Sequence, residues 1–156
     1  MSKRMLIALL ALCGVFLSLY LTLYKAGMIG TLACGTGECE TVQLSRWATF
    51  LGLPVAAWGV AFYLAVLALS LLGVQERFAD SRGFALGLVL VTGWGVLFSL
   101  WLTYLELFVI HAICRWCVGS ALMTVVLFVL AVMDYLAWSG SVSEETRGEE
   151  FPTLGT

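Results

Sequence analysis

Charge is the scarcest ingredient of this chain. Only 12% of its 156 residues are Asp, Glu, Lys or Arg while 62% are hydrophobic, and the mean hydropathy is +1.01. A soluble domain carries about 25% charged residues, and its core has no use for so much apolar sequence. The formal charge of −2 is too small to argue for nucleic acid or for an acidic membrane partner. Polar stretches are equally scarce. One long polar loop, Lys25 to Leu53, interrupts the apolar sequence, and a polar tail begins at Ser139.

What is abundant is apolar sequence in runs long enough to cross a bilayer, about 20 residues each. They are Met5 to Tyr24, Pro54 to Val74, Phe84 to Tyr104 and Ile113 to Trp138. The fold expected is an all-α membrane protein, a four-transmembrane-helix bundle with an outer loop and a short capping helix. Residues 1–138 form the membrane domain and 139–156 a disordered cytoplasmic tail. The first run exceeds the about 7–15-residue core of a secretory signal and is read as a retained helix. Lys3, Arg4, Arg77 and Arg82 flank the runs on one side, so the positive-inside bias puts both termini in the cytoplasm, with Lys25, Arg46 and Arg115 opposing.

Four of the five cysteines then fall on the outer side, where disulfides persist. Cys114 and Cys117 form a C-x-x-C at the outer end of the last run. Three residues apart on a helix, two thiols stand about 5 Å from each other at their Cα atoms, within disulfide reach. Cys34 and Cys39 lie in the loop with Gly35 and Gly37 between them. A bridge closing so short a span removes little unfolded-state entropy, which favours a redox pair over a structural staple. Cys13, mid-membrane, reads as a small buried hydrophobe.

Several residues near the pairs are candidates for binding. Val42, Leu44, Trp47, Phe50 and Leu51 recur near helical spacing, predicting a short helix over Ser45 to Leu51 with Ser45 as its N-cap. Small residues in the second run, Gly59 among them, allow close packing or a flat ligand. His111, the only histidine, precedes Cys114 by three residues and offers a proton carrier or a thiolate partner. Cys117 lies about 4.5 Å deeper than Cys114 along the helix. Cys114 thus faces the loop and Cys117 faces a membrane-soluble acceptor, for which a quinone is the natural choice.

The loop pair, Ser45 six residues beyond Cys39, the segment Leu53-Pro54-Val55-Ala56-Ala57-Trp58-Gly59 and the terminal C-x-x-C together resemble the vitamin K epoxide reductase family. The likeness is greatest to bacterial members without a fused thioredoxin-like domain, and it implies the same four-helix bundle. It implies that Cys34 and Cys39 are a shuttle pair, Cys114 and Cys117 the active-site pair, and Ser45 part of a lid over a quinone pocket. Ser45, Trp47, Phe50, Val55, Gly59 and His111 are the expected quinone contacts. The partners implied are a periplasmic thioredoxin-fold dithiol protein and a membrane quinone, ubiquinone or menaquinone, at the inner (plasma) membrane. Animal members carry an asparagine where Val55 stands and a tyrosine where Ala121 stands. The expected function is quinone-linked thiol oxidation supporting disulfide formation, without a metal. The alternatives are reduction of vitamin K epoxide or quinone on the same fold, and a cysteine-rich metal-binding membrane protein.

Overall fold

In the computed structural model, the chain is described over residues 3–35, 37–75 and 82–149, with 141–149 as backbone only. Arg77 and residues 150–156 lie outside the described residues. Helix α1 spans Lys3–Lys25, α2 Glu38–Leu44, α3 Val55–Val74, α4 Arg82–Leu105 and α5 Arg115–Glu149. A 3₁₀ turn, Arg46–Ala48, and two short strands, β1 Thr49–Phe50 and β2 Leu53–Pro54, stand between α2 and α3. Among the described residues, four helical segments are long and apolar enough to cross a membrane: Lys3–Lys25, Val55–Val74, Arg82–Ile110 and Arg115–Gly140. In hydrocarbon a helix satisfies its own backbone hydrogen bonds, which is why these runs fold as they do.

The four long helices close a ring in which α1 packs on α3 and α5, and α4 on α3 and α5. The bundle core gathers Ile7 and Ala11 of α1, Tyr63 and Val66 of α3, Leu88 of α4, and Leu127 and Ala131 of α5. Outward-facing side chains such as Phe16, Leu90, Trp94 and Leu122 are more than 60% exposed, the pattern of a surface solvated by lipid rather than water.

Two sequence expectations are revised. The short helix predicted over Ser45 to Leu51 is reduced to the 3₁₀ turn, with Ser45 at its N-cap position but making no side-chain cap bond. The longer helix, α2, lies earlier, and Ser45 also ends it, with extended backbone (ψ 154°) and its hydroxyl donating to the Val42 carbonyl at 2.7 Å. The apolar spacing beyond Ser45 is taken up by the 3₁₀ turn and a hairpin, Thr49 pairing with Pro54 and Phe50 with Leu53. Leu51 and Gly52 at its tip have φ of 52° and 81°, the positive values a two-residue hairpin turn requires. At the far end, helical backbone continues to Glu149, past Ser139 where the sequence reading begins an unstructured tail.

The end of the bundle remote from the cysteines is fastened by charge. Arg4 Nε donates to Asp134 Oδ2 at 2.8 Å, and Arg4 Nη1 donates to the Gly73 carbonyl, joining α1, α5 and α3. Both charged side chains are largely buried, at 11% and 15% exposure. Asp134→Ala is expected to destabilise the bundle by about 1.5–3 kcal/mol, the range for a hydrogen bond to a charged group, measured as a lowered unfolding midpoint in detergent.

Candidate functional site

At the opposite end the two cysteine pairs meet. Cys34 and Cys39 are joined in a disulfide with Cα atoms 6.1 Å apart. Both are buried, at 2% and 0% exposure, in one cluster with Cys114 (0%), Leu21, Leu32, Val42 and Ala112. Cys39 rides in the first turn of α2. The Cys34 side of the loop is pinned by the Ala33 N–H donating to Tyr20 Oη at 3.2 Å and by Arg115 Nη1 donating to the Cys34 carbonyl at 3.3 Å. The bridge is therefore covered rather than displayed. Gly35 and Gly37, with φ of 77° and 75°, give this cover a backbone that ordinary residues adopt only with strain.

Cys114 does not lie within the helix, as the sequence suggests, but immediately before it. Helix α5 begins at Arg115, the Val118 N–H donates to the Cys114 carbonyl at 2.9 Å, and the Cys117 N–H donates to Cys114 Sγ at 3.4 Å. The sulfur thus occupies the position of an N-cap acceptor, taking one of the donors a helix start leaves unpaired. A hydrogen bond from the Cys117 thiol lowers the Cys114 pKa below the ordinary cysteine range, with burial opposing and the backbone N–H groups assisting. Cys114 is accordingly the thiol favoured as thiolate, the form that attacks disulfides.

Beside the cluster opens a cavity of about 930 Å³ between α1, α3, α4, α5 and the hairpin. This is at the upper end of the range for small-molecule sites, about 300–1,000 Å³. Of the cysteines only Cys117 lines it. Ser45, Trp47, Phe50, Val55 and Gly59 line it too, so five of the six expected contacts converge here. His111 does not. It is exposed, in a left-handed conformation (φ 54°) that closes the wide turn after α4. Phe50 is the keystone of the aromatic wall: its ring meets Trp58, Phe98 and Trp101 edge-on at 6.2–6.4 Å, and its carbonyl accepts the Trp58 indole N–H at 3.1 Å. The α2-to-hairpin segment is thereby closed over the cavity by hydrogen bonding as well as packing.

Polar groups are few in this wall, and the sequence reading missed most of them. Gln43, 6% exposed, brings Nε2 to 3.6 Å from Cys117 Sγ. Glu106, 5% exposed, accepts the Cys114 N–H at 3.3 Å and lines the cavity together with Cys117. Deeper in, Tyr63 Oη lies 2.8 Å from Ser120 Oγ and 3.2 Å from Thr124 Oγ1 and donates to the Ser120 carbonyl at 3.0 Å. Val55 and Ala121 are also in the lining, offering no hydrogen bond where animal members of the resembled family offer one.

The model of the Vitamin K epoxide reductase family matches residues 5–132, most of the chain and all four of these cysteines. The chain belongs to the vitamin K epoxide reductase family. It is an oxidoreductase of the membrane, and its general function is that of the family, thiol oxidation or vitamin K reduction, in which members act with quinones. The match runs from the start of α1 through the cavity-lining part of α5.

Proposed function

We propose that this family member is a quinone-dependent thiol oxidase, passing electrons from a thioredoxin-fold dithiol protein through Cys34 and Cys39 to Cys114 and Cys117 and then to a membrane quinone. The observation that carries the reading is the position of Cys117. It alone among the four cysteines belongs both to the cysteine neighbourhood and to the cavity lining. An apolar, aromatic-walled cavity of this size suits a flat ring.

In the proposed sequence the partner's thiolate attacks the Cys34–Cys39 bridge, and the partner's second thiol resolves the mixed disulfide, leaving both loop cysteines reduced. Cys39 then attacks Cys114 of a Cys114–Cys117 disulfide, releasing the Cys117 thiolate. Cys34 closes back on Cys39 and frees Cys114. The pairing of Cys34 with Cys39, with Cys114 and Cys117 free, corresponds to the stage before quinone reduction. The quinone takes two electrons and two protons as Cys114 and Cys117 become a disulfide. Burial of the loop bridge means that the partner must lift the segment around Gly35 to reach it. Lys3, Arg4 and Arg82 at the remote end support an orientation with that end cytoplasmic and the cysteines on the periplasmic side of a plasma membrane.

The test is anaerobic turnover of the purified protein with a reduced thioredoxin-fold protein and a short-chain quinone. Quinone loss matched mole for mole by partner disulfide, and absent in Cys114→Ser, is expected. No turnover with several partners and quinones, together with stoichiometric bound metal, would instead favour the metal-binding class. Turnover of vitamin K epoxide in preference to quinone would favour the epoxide reductase reading.

A further inference from the structure

Among the described residues, the lining of the large cavity contains one carboxylate, Glu106, and no Asp, Lys, Arg or His. Glu106 is 5% exposed, and no cation pairs with it among the described residues. Its placement depends on an unusual backbone. Helix α4 does not end at Leu105 but widens into a π turn, Glu106–Ile110, closed by the left-handed His111 and by the Ala112 N–H donating to the Glu106 carbonyl at 3.2 Å. Such turns are rare and recur at functional sites. Here the turn sets the Glu106 side chain beside the active-site cysteines, with Oε2 on the Cys114 N–H at 3.3 Å and Cys117 in the same cavity lining. Gln43 Nε2 reaches the same sulfur from α2, at 3.6 Å.

A purely structural task does not need the charge. A glutamine would accept the Cys114 N–H equally well and avoid the cost of burying an unpaired carboxylate. What a carboxylate adds is the capacity to take up and release a proton. The dithiol gives up two protons as it oxidises, and the wall around Cys117 is otherwise apolar apart from Gln43 and hydroxyls. We infer that Glu106 is a catalytic proton carrier, accepting the proton of the Cys117 thiol and returning it to an oxygen of the acceptor. The inference rests on the quinone reading above. In the net step the two S–H bonds of Cys114 and Cys117 break and one S–S bond forms. Both electrons and both protons go to the quinone, whose two oxygens become hydroxyls, and the carboxyl returns to its starting state. Gln43 stabilises the sulfur as its proton leaves.

The full-length protein in detergent, reduced in advance, is the material for the test. Single-turnover quinone reduction by Glu106→Gln is expected to be slower by about 10²- to 10⁴-fold, the usual contribution of a positioned acid–base group, with Glu106→Asp retaining most of the rate. The wild-type pH profile for this step should show an ionisation that Glu106→Gln lacks. Glu106→Ala is the second variant, expected to be rescued by formate and not by formamide. A native rate and unchanged pH profile in Glu106→Gln, or equal rescue by formamide, would overturn the assignment and leave Glu106 a structural acceptor. A wild type that oxidises no thiol with any quinone would overturn the quinone reading itself, and this inference with it.

Discussion

Replacing Cys117 with serine is expected to slow quinone reduction by about 10³-fold or more, the scale on which loss of a covalent nucleophile registers, while thiol exchange among the other three cysteines continues. The reason is the division between the two pockets of the site. Cys114 is buried with Cys34 and Cys39 and has no surface in the cavity, whereas Cys117 lines it. In the variant the Cys114 thiolate attacks Cys39 of the closed loop bridge, forming Cys39–Cys114 and releasing the Cys34 thiolate. With Cys117 gone, the only thiol that can undo it is Cys34, whose return attack on Cys39 merely restores the starting bridge. The mixed disulfide should accumulate and appear as one crosslinked peptide pair by mass spectrometry without reduction. Serine retains a hydroxyl donor toward Cys114, and alanine removes it. Because the hydrogen bond from Cys117 lowers the Cys114 pKa, thiolate at Cys114 persists to lower pH when that donor is kept. Exchange in Cys117→Ser should therefore hold to lower pH than in Cys117→Ala, as measured by the yield of the crosslink across pH. Quinone reduction at the native rate in Cys117→Ser would overturn the order of electron flow.

The sequence shows the bundle more clearly than it shows the site. Four apolar runs are legible because a bilayer demands length and little else, and the observed spans agree with them to within two residues at every end except Ile110. The C-x-x-C is legible as a motif, but not the start of α5 at Arg115, which makes Cys114 a cap rather than a helical residue. Ser45 misleads for a related reason. It does stand at the N-cap position of a helix start, yet Gly52 and Pro54 lie within the next few residues and favour a turn, so only the 3₁₀ turn follows and Ser45 also ends α2. His111 draws notice as the only histidine and proves to occupy a backbone corner. Glu106 carried a signal that went unused: a lone acid beside an apolar span is costly to place there and is by default a functional candidate. Gln43, between Val42 and Leu44, carried a weaker one. The π turn that aims Glu106 has no mark in the sequence, because it arises from how α4 must reach the start of α5.

Gly14→Val is expected to loosen the whole bundle, although Gly14 lies far in sequence from every active residue. A Cβ at this position would lie within 2.7 Å of three carbon atoms of the Tyr63 ring, nearer than packed atoms ever approach. Glycine is thus what allows α1 and α3 to come so close, the device by which membrane helices gain packing where lipid gives no hydrophobic drive. Moving the ring does more than open that seam. Tyr63 is 1% exposed, and its hydroxyl is tied to Ser120 and Thr124 of α5, so a shift at α1 is transmitted through α3 to a third helix. Overpacking and the loss of buried hydrogen bonds together should cost about 3 kcal/mol or more, read as a lower unfolding midpoint in detergent. Tyr63, Ser120 and Thr124 also line the cavity, so the KM for quinone should rise in any protein that still folds. Gly59→Ala is the contrasting substitution: its Cβ would meet Ser18 Cβ at 3.3 Å, tight but open to small adjustment, and a much smaller change in both quantities is expected. A native midpoint and KM in Gly14→Val would show that the seam between α1 and α3 can widen without disturbing Tyr63, and that the cavity depends on the cover formed by α2 and the hairpin more than on its floor.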